Sequence, residues 1–291
     1  MAEPSASGLL HSAFYRFTPL ADTAAAAAQL RGLAQGLQGS ILVAPEGLNG
    51  TVAGPATDVA RFEAALQGGS VLGGSCRGMV FRRSACTTPP FGRLKVSVKP
   101  ELVALGLPAP AGAALPPPDA QDASHLDATA WQALLARDEL VLLDNRNHFE
   151  FRLGRFRGAL DPAVAHFRDF GAWVQVQAPA WRAAGRPVAM YCTGGIRCDK
   201  TAPWLRSLGL EVWQLDGGIL GYLQQAGASD TLWQGECFVF DRRLALDRQL
   251  QPAEVRAEQV FDARRPDKAW RLQRASRLDD AVPPALAATG G

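Results

Sequence analysis

The stretch YCTGGIRCDK constrains this chain more than any other, because a run of apolar residues, Val188 to Tyr191, delivers Cys192 into a glycine-containing turn that a helix follows. With Pro187 to Tyr191 as a buried strand and a helix from Arg197 onward, the backbone N–H groups of Thr193 to Arg197 curl around the Cys192 sulfur at the helix N-terminus. Helix N-termini and neighbouring cations bring thiol pKa values from about 8.5 into a range of roughly 3.5 to 7.5, and Arg197 supplies a cation. Gly194 and Gly195 permit positive φ and crowd no side chain against the sulfur. Strand, glycines, arginine and helix coincide, which reads as a catalytic thiolate loop formed by Cys192, Thr193, Gly194, Gly195, Ile196 and Arg197 rather than a buried cysteine ending a core strand.

Loop length narrows the chemistry. Phosphotyrosine phosphatases place their phosphate-binding arginine where this chain has Cys198, and the arginine here comes one residue earlier, at Arg197. The smaller loop suits a single added atom, such as the terminal sulfur of a persulfide held by the same N–H groups and helix dipole. This is the loop logic of rhodanese sulfurtransferases, and the segment from about His125 to Gln225 resembles a rhodanese domain. VLLDNRNHFEFRLGRFRGAL carries the strand with Asp144 and Arg146, then Glu150 and the approach from Gly154 to Leu160, and EVWQLDGGILGYLQQ is the strand and helix that close the domain. Asp144 and Arg146 are expected to organise the loop by hydrogen bonding. Cys198 either resolves a persulfide or sulfenate as a disulfide or packs beneath the loop.

Four stretches in this order, ILVAPEGLNGTVAG, PFGRLKVSVKPELVALG, YCTGGIRCDK and GECFVFDRRLAL, together resemble the TrhO (YceA-like) family of oxygen-dependent tRNA uridine hydroxylases, over most of residues 10 to 250. The resemblance implies conversion of the tRNA wobble uridine to 5-hydroxyuridine with molecular oxygen as co-substrate, tRNA as partner and the cysteine matching Cys192 essential. Glu46 and Asn49 are candidate site residues by that resemblance alone, and hairpin chemistry explains them equally well. Two departures stand out. Val260 and Ala263 occupy positions where the family commonly has tail cysteines, so no tail metal site is expected, and Gly154, Arg155 and Phe156 replace a frequent Gly-His-Phe, read here as a loop.

Composition sets the bounds. A chain of 291 residues that is 47% hydrophobic is long enough for about two domains and a tail, each with its own core. The start MAEPSASGLLHSAFYRF lacks a basic segment leading into a long apolar run, so neither a signal peptide nor a membrane span is expected. Five cysteines without close pairing argue against a disulfide framework and for a reducing cytoplasm. No Gly-rich nucleotide fingerprint follows a strand, so neither flavin nor nicotinamide is indicated. His148, Glu150 and His166 offer the ligand set of non-haem iron oxygenases, but such triads need convergence from a barrel, and surface histidines are the better reading. The net charge of +2 hides unevenness: between Glu63 and Glu101 no acidic residue occurs, while Arg77, Arg82, Arg83, Arg93, Lys95 and Lys99 do. Of these, Arg82, Arg83, Arg93, Lys95 and Lys99 are the RNA-binding candidates. A second basic run, Arg264, Arg265, Lys268, Arg271, Arg274 and Arg277, reads equally as a solvated face or an RNA contact.

The predicted architecture is α/β. Residues 1–105 alternate strands (Ala13–Phe17, Ser40–Ala44, Gly50–Ala53, Met79–Arg83, Leu94–Val98) with helices (Asp22–Leu37, Thr57–Leu66), as a ferredoxin- or acylphosphatase-like α+β sandwich, with a turn from Pro45 to Asn49. A Pro/Ala-rich linker fills 106–124, and a rhodanese domain of parallel strands with helices on both faces spans 125–228. An appended segment and basic tail fill 229–291, with GECFVFDRRLAL packing back on the rhodanese domain and Cys237 in its core. Two other functions use the same loop. A plain sulfurtransferase carrying a Cys192 persulfide leaves the basic domain without a task, and a non-catalytic RNA-binding, redox-sensing module leaves no stable modification on the RNA.

Overall fold

One face of a five-stranded sheet carries two helices, and its other face receives a second domain. A computed structural model describes residues 8–86, 88–107, 122–137, 139–226 and 232–261. Its first domain comprises β1 (Leu9–Phe17), α1 (Thr23–Leu33), β2 (Gln38–Ala44), β3 (Gly47–Pro55), α2 (Ala56–Gln67), β4 (Phe81–Cys86) and β5 (Leu94–Val98). The sheet order is β4-β1-β3-β2-β5, antiparallel except for the β2–β5 pair. Strand alternation divides the residues between the two faces. Phe14, Ile41, Val43, Leu48 and Val52 pack with Leu30 of α1 and with Phe62 and Leu66 of α2. Tyr15, Phe17, Leu42 and Ala44 point the other way.

Both helices begin near their predicted starts, α1 because Asp22 Oδ1 accepts from Ala25 N at 2.8 Å. Some ends differ. α1 stops at Leu33 because Gly36 takes φ +88° and Leu37 turns into the core. β1 starts four residues before Ala13, at Leu9, since it pairs with β3 along its whole length and with β4 from Leu9 to Phe14. Met79 is core rather than strand, and the chain joins β1 only where Phe81 faces Phe14. In the turn after β2, Gly47 alone takes positive φ, while Asn49 and Gly50 lie inside β3.

The second domain is built on a parallel sheet, β6-β10-β9-β7, from β6 (His125–Leu126), β7 (Val141–Asp144), β9 (Val188–Tyr191) and β10 (Val212–Leu215). Helices α3 (Ala128–Leu135), α4 (His148–Leu153), α5 (Phe170–Ala183), α6 (Ile196–Ser207) and α7 (Gly218–Ala226) surround it. Its central strands are apolar on both faces, as buried parallel strands must be. Val188 and Met190 join Phe170, Val174 and Leu205 on one side, and Ala189 and Tyr191 join Trp131, Phe156 and Tyr222 on the other. Gly154 to Phe156, expected as a loop, is a short strand β8 paired with β11 (Trp233–Gly235). The hairpin β12 (Cys237–Phe238) and β13 (Ala245–Leu246) packs back with α8 (Ala257–Val260) through Phe149, Phe238 and Phe261, and Cys237 is buried with its thiol pushed up by burial to about 12. Most of the Pro/Ala-rich linker and the basic run from Arg264 to Arg277 lie outside the described residues.

The open sheet face of the first domain is covered by the second. Phe17, Leu42 and Ala44 meet Leu102, Val103, Phe167 and Ile196. Lys200 of α6, its side chain only 5% exposed, donates to Glu46 at 2.9 Å and to Glu101 at 2.6 Å. Glu46 also accepts from Leu102 N at 2.6 Å, so it acts as a strut between the domains. Replacing that cation, Lys200→Met, leaves two carboxylates facing one another; because both are partly exposed, a loss of about 1–3 kcal/mol is expected. Calorimetry of the full chain should show a lower unfolding midpoint, and an unshifted one would mean the interface does not depend on this contact.

Candidate active site

Cys192 follows directly on the last residue of β9, and Asp144 is the last residue of β7, so both stand at the carboxyl ends of parallel strands, where such sheets place their sites. The loop from Cys192 then turns into α6. Gly195 N donates to Cys192 Sγ at 3.1 Å. Gly195 has φ +101°, and a Cβ there would lie 2.8 Å from Tyr15 Oη, so glycine is required twice over. The loop's outer carbonyls are held as well, Cys192 O by Ile219 N at 2.9 Å and Thr193 O by Leu220 N at 3.1 Å. That approach leaves no room for a side chain at Gly218, whose Cβ would collide with Cys192 O.

The Cys192 sulfur has 0% exposure. Burial by itself would raise its pKa; the hydrogen bond from the Cys198 thiol, the Arg197 charge and the backbone N–H groups of Cys198 and Arg197 outweigh it and bring it to about 6. The protein therefore holds a thiolate at neutral pH. Cys198 is driven the opposite way, its thiol kept protonated by burial and by the neighbouring sulfur. Asn145 Nδ2 reaches Cys198 Sγ at 3.7 Å and Thr201 Oγ1 at 2.8 Å.

Arg197 is fixed by Glu150 of α4. Its Nη1 and Nη2 each donate to one Glu150 oxygen at 2.8 Å, and Nη2 also reaches Thr193 Oγ1 at 3.2 Å. Burial would raise the Glu150 carboxyl, but Arg197 holds it below its ordinary range. Glu150 accepts in addition from Asn147 N at 3.1 Å and Asn147 Nδ2 at 2.9 Å. A second buried pair lies further back: Arg146 Nε and Nη2 meet Asp144 Oδ1 and Oδ2 at 2.8 and 2.6 Å, Tyr191 Oη donates to Asp144 at 2.7 Å, and Arg146 donates to Gly154 O at 2.6 Å. Asp144 and Arg146 thus tie β7, β8 and β9 together.

The first domain forms one wall of the site. Tyr15 Oη donates to Asp199 Oδ2 at 2.8 Å, and His125 Nε2 meets Asp199 Oδ1 at 2.8 Å, an interaction that raises His125 to about 9. Arg82 pairs with Asp216 at 3.3 Å beside Gly217. Phe167 and Phe240 lie 5.7 and 6.0 Å from the Arg197 guanidinium.

The basic candidates divide. Arg82 stands at the wall. Arg83, its neighbour on β4, points to the helix-covered face and is bound by the buried Glu63. Lys95 is exposed on the edge strand β5 and Arg93 and Lys99 are exposed at its two ends, with no ion pair among the described residues. His148, Glu150 and His166 do not converge as iron ligands, since His148 binds Asp161 at 2.6 Å and both Glu150 oxygens face Arg197; among the described residues no group of three metal-ligating side chains occurs. Tyr15, His125, Asp199 and Phe240 were not singled out from the sequence, and Glu150 was weighed there as an iron ligand rather than as the partner of Arg197. Only Glu150 left a readable sign, the Asn147-to-Glu150 spacing of a helix start.

Comparison with known proteins covers both domains. Residues 10–102 match the UPF0176 acylphosphatase like domain, and residues 127–225 match the Rhodanese-like domain. The tRNA uridine(34) hydroxylase of Jannaschia sp. is 42% identical over 254 residues, which is 86% of this chain and 78% of that protein. The tRNA uridine(34) hydroxylase of Nitrobacter winogradskyi is 41% identical over 254 residues, 86% of this chain and 96% of its own. That of Synechococcus elongatus is 44% identical over 246 residues, 82% of this chain and 85% of its own.

The thiolate can be tested directly. Its ultraviolet absorbance, wild type minus Cys192→Ser, should titrate with a midpoint at about 6, thiol below and thiolate above. Arg197→Met should move the midpoint up by about one to two pH units. A midpoint that stays in place would remove Arg197 from the support of the anion.

Proposed function

The chain belongs to the tRNA uridine(34) hydroxylase family, and on that premise we propose that it converts the wobble uridine of tRNA to 5-hydroxyuridine, with Cys192 as the nucleophile and molecular oxygen as co-substrate. The observation that carries the reading is a fully buried Cys192 sulfur that accepts from Gly195 N beside the Glu150-held Arg197, in a loop that lies against the first domain, whose exposed edge is basic.

Uracil is electrophilic at C6. Addition of the Cys192 thiolate there forms a C–S bond and moves the ring's electron pair toward O4, which makes C5 nucleophilic. One oxygen atom of O2 is then transferred to C5, two electrons from an external donor reduce the other to water, and loss of the C5 proton with expulsion of Cys192 restores the ring. Arg197, the N–H groups and the Cys198 thiol stabilise the sulfur as attacking anion and again as leaving group. Thr193, Gly194, Gly195 and Ile196 supply the backbone shape that makes this possible, and Asp144 and Arg146 hold the strands from which the loop springs. Cys198, whose thiol donates to the Cys192 sulfur, is proposed to close a disulfide with an oxidised Cys192.

Arg93, Lys95 and Lys99 are proposed to hold tRNA phosphates, with Arg82 nearer the site. Register supports this: Lys95 pairs with Ser40 and Ser97 with Leu42, so Lys95 and Lys99 lie on the sheet face that meets the second domain. A tRNA enzyme works in the cytoplasm, and no helix among the described residues is long and apolar enough to cross a membrane. The domains are taken as 1–105 and 125–228, joined by the linker 106–124 and followed by 229–291; Leu105 already belongs to the core of the second.

Nucleoside mass spectrometry of tRNA from a host without its own wobble-uridine hydroxylases should show 5-hydroxyuridine with the wild type and none with Cys192→Ser. No product from soluble wild-type protein would turn the assignment toward sulfur transfer. The double variant Arg93→Glu, Lys95→Glu should weaken tRNA binding and lower the slope of log K against log salt by about 1 to 2, whereas unchanged affinity would free that edge from any RNA role.

A further inference from the structure

Among the described residues the exposed large apolar side chains are Val80, Val98, Leu160, Val176 and Phe240, and Phe240, at 67% exposure, is the one aromatic. An isolated surface valine needs no explanation. Phe240 differs in where it stands and how firmly it is held. Its ring meets Phe238 edge-on, with centroids 4.9 Å apart at 88°. Phe238 is itself buried against Phe149 at 4.9 Å and Phe261 at 6.0 Å, so the exposed ring sits on an aromatic stack anchored in the core. The backbone is pinned on either side. Val239 N donates to Leu244 O at 2.8 Å, Arg243 clamps Asp241 at 2.9 and 2.6 Å, and Arg242 N reaches across to Pro90 O of the first domain at 3.1 Å. This rigid exposed ring lies 6.0 Å from the Arg197 guanidinium, which stabilises the Cys192 anion.

Chemistry on a base that begins inside an anticodon stack requires that the base leave it, and the lost stacking has to be replaced. Uracil is small, with few hydrogen-bonding groups, and an aromatic ring stacked on one of its faces replaces the lost stacking while leaving the opposite face open, the face from which a nucleophile adds to C6. We propose that Phe240 is the platform on which the flipped wobble uracil stacks while Cys192 attacks it. The inference rests on the reading of this site as a wobble-uridine hydroxylase and adds to it the residue that binds the target base.

The test compares full-length wild type with Phe240→Ala, Phe240→Leu and Phe240→Tyr for single-turnover formation of 5-hydroxyuridine in tRNA. Loss of one base–aromatic stack predicts a fall of about 5- to 150-fold for Phe240→Ala and a similar fall for Phe240→Leu, with Phe240→Tyr within about 3-fold of wild type. The thiolate titration of all three variants should keep the wild-type midpoint of about 6, which separates loss of stacking from a disturbed loop. A second arm measures binding of an anticodon stem-loop carrying either the wobble uridine or an abasic residue in its place. Wild type should prefer the uridine, and Phe240→Ala should erase the preference. Wild-type turnover by Phe240→Ala, or Phe240→Leu performing as well as Phe240→Tyr, overturns the platform. If wild type makes no 5-hydroxyuridine, the functional reading falls instead, and the binding arm still decides whether Phe240 holds a base.

Discussion

An anion with no water around it must be stabilised by the protein alone, since transfer of an isolated charge into a protein interior costs several kcal/mol. The Cys192 sulfur is in that position, and much of the second domain can be understood as compensation for it. The nearest cation, Arg197, is itself buried and needs Glu150; Glu150 needs the Asn147 amides; and Asn147 opens the helix that carries Glu150. Behind them Asp144 and Arg146 neutralise each other. With Arg197 matched by Glu150 and Arg146 by Asp144, the thiolate is one negative charge in excess, supported by backbone N–H groups, the Cys198 thiol and the start of α6. In the proposed reaction, addition to uracil moves that charge from the sulfur onto the base, and the arrangement's part is to keep the sulfur ionised beforehand.

The loop could not be completed within its own domain. Gly195 leaves a space that Tyr15 fills, and Tyr15 is held by Asp199, which His125 grips from the other side. Lys200, in the next turn of α6, crosses to Glu46 and Glu101. One helix thus presents the thiolate loop at its start and fastens the first domain along its flank. The exposed basic edge of the first domain is therefore held in fixed relation to the sulfur carried by the second.

Sequence alone revealed what is contiguous. Strand, cysteine, glycine turn and helix follow one another in YCTGGIRCDK, and the alternation of strands and helices gave both domains and their order. Element ends were harder, because the start of β1 depends on partners far along the chain and the stop of α1 on a glycine conformation. The pairings that shape the site were not legible at all: Glu150 lies 47 residues from Arg197, Tyr15 lies 184 from Asp199, and His125 lies 74 from Asp199. The basic run misled in a specific way. Arg82 and Arg83 are adjacent in sequence, but a strand sends neighbours to opposite faces, so one reaches the site and the other is bound by a buried glutamate.

The same reasoning explains why the hairpin that carries Phe240 matters beyond its size. Its stem packs on α4, whose Glu150 fixes Arg197, while its tip contacts the first domain at Pro90 and lays Asp241 beside the buried His11. Burial, reinforced by Arg243, lowers His11 to about 4, so this contact is made by a neutral imidazole and does not alternate with pH in the physiological range. A segment attached to both domains and to the partner of Arg197 has little freedom to move independently of the thiolate. An exposed aromatic ring on such a segment is preorganised with respect to the sulfur, and preorganisation is what a stacking surface needs if binding a base is also to orient it for attack.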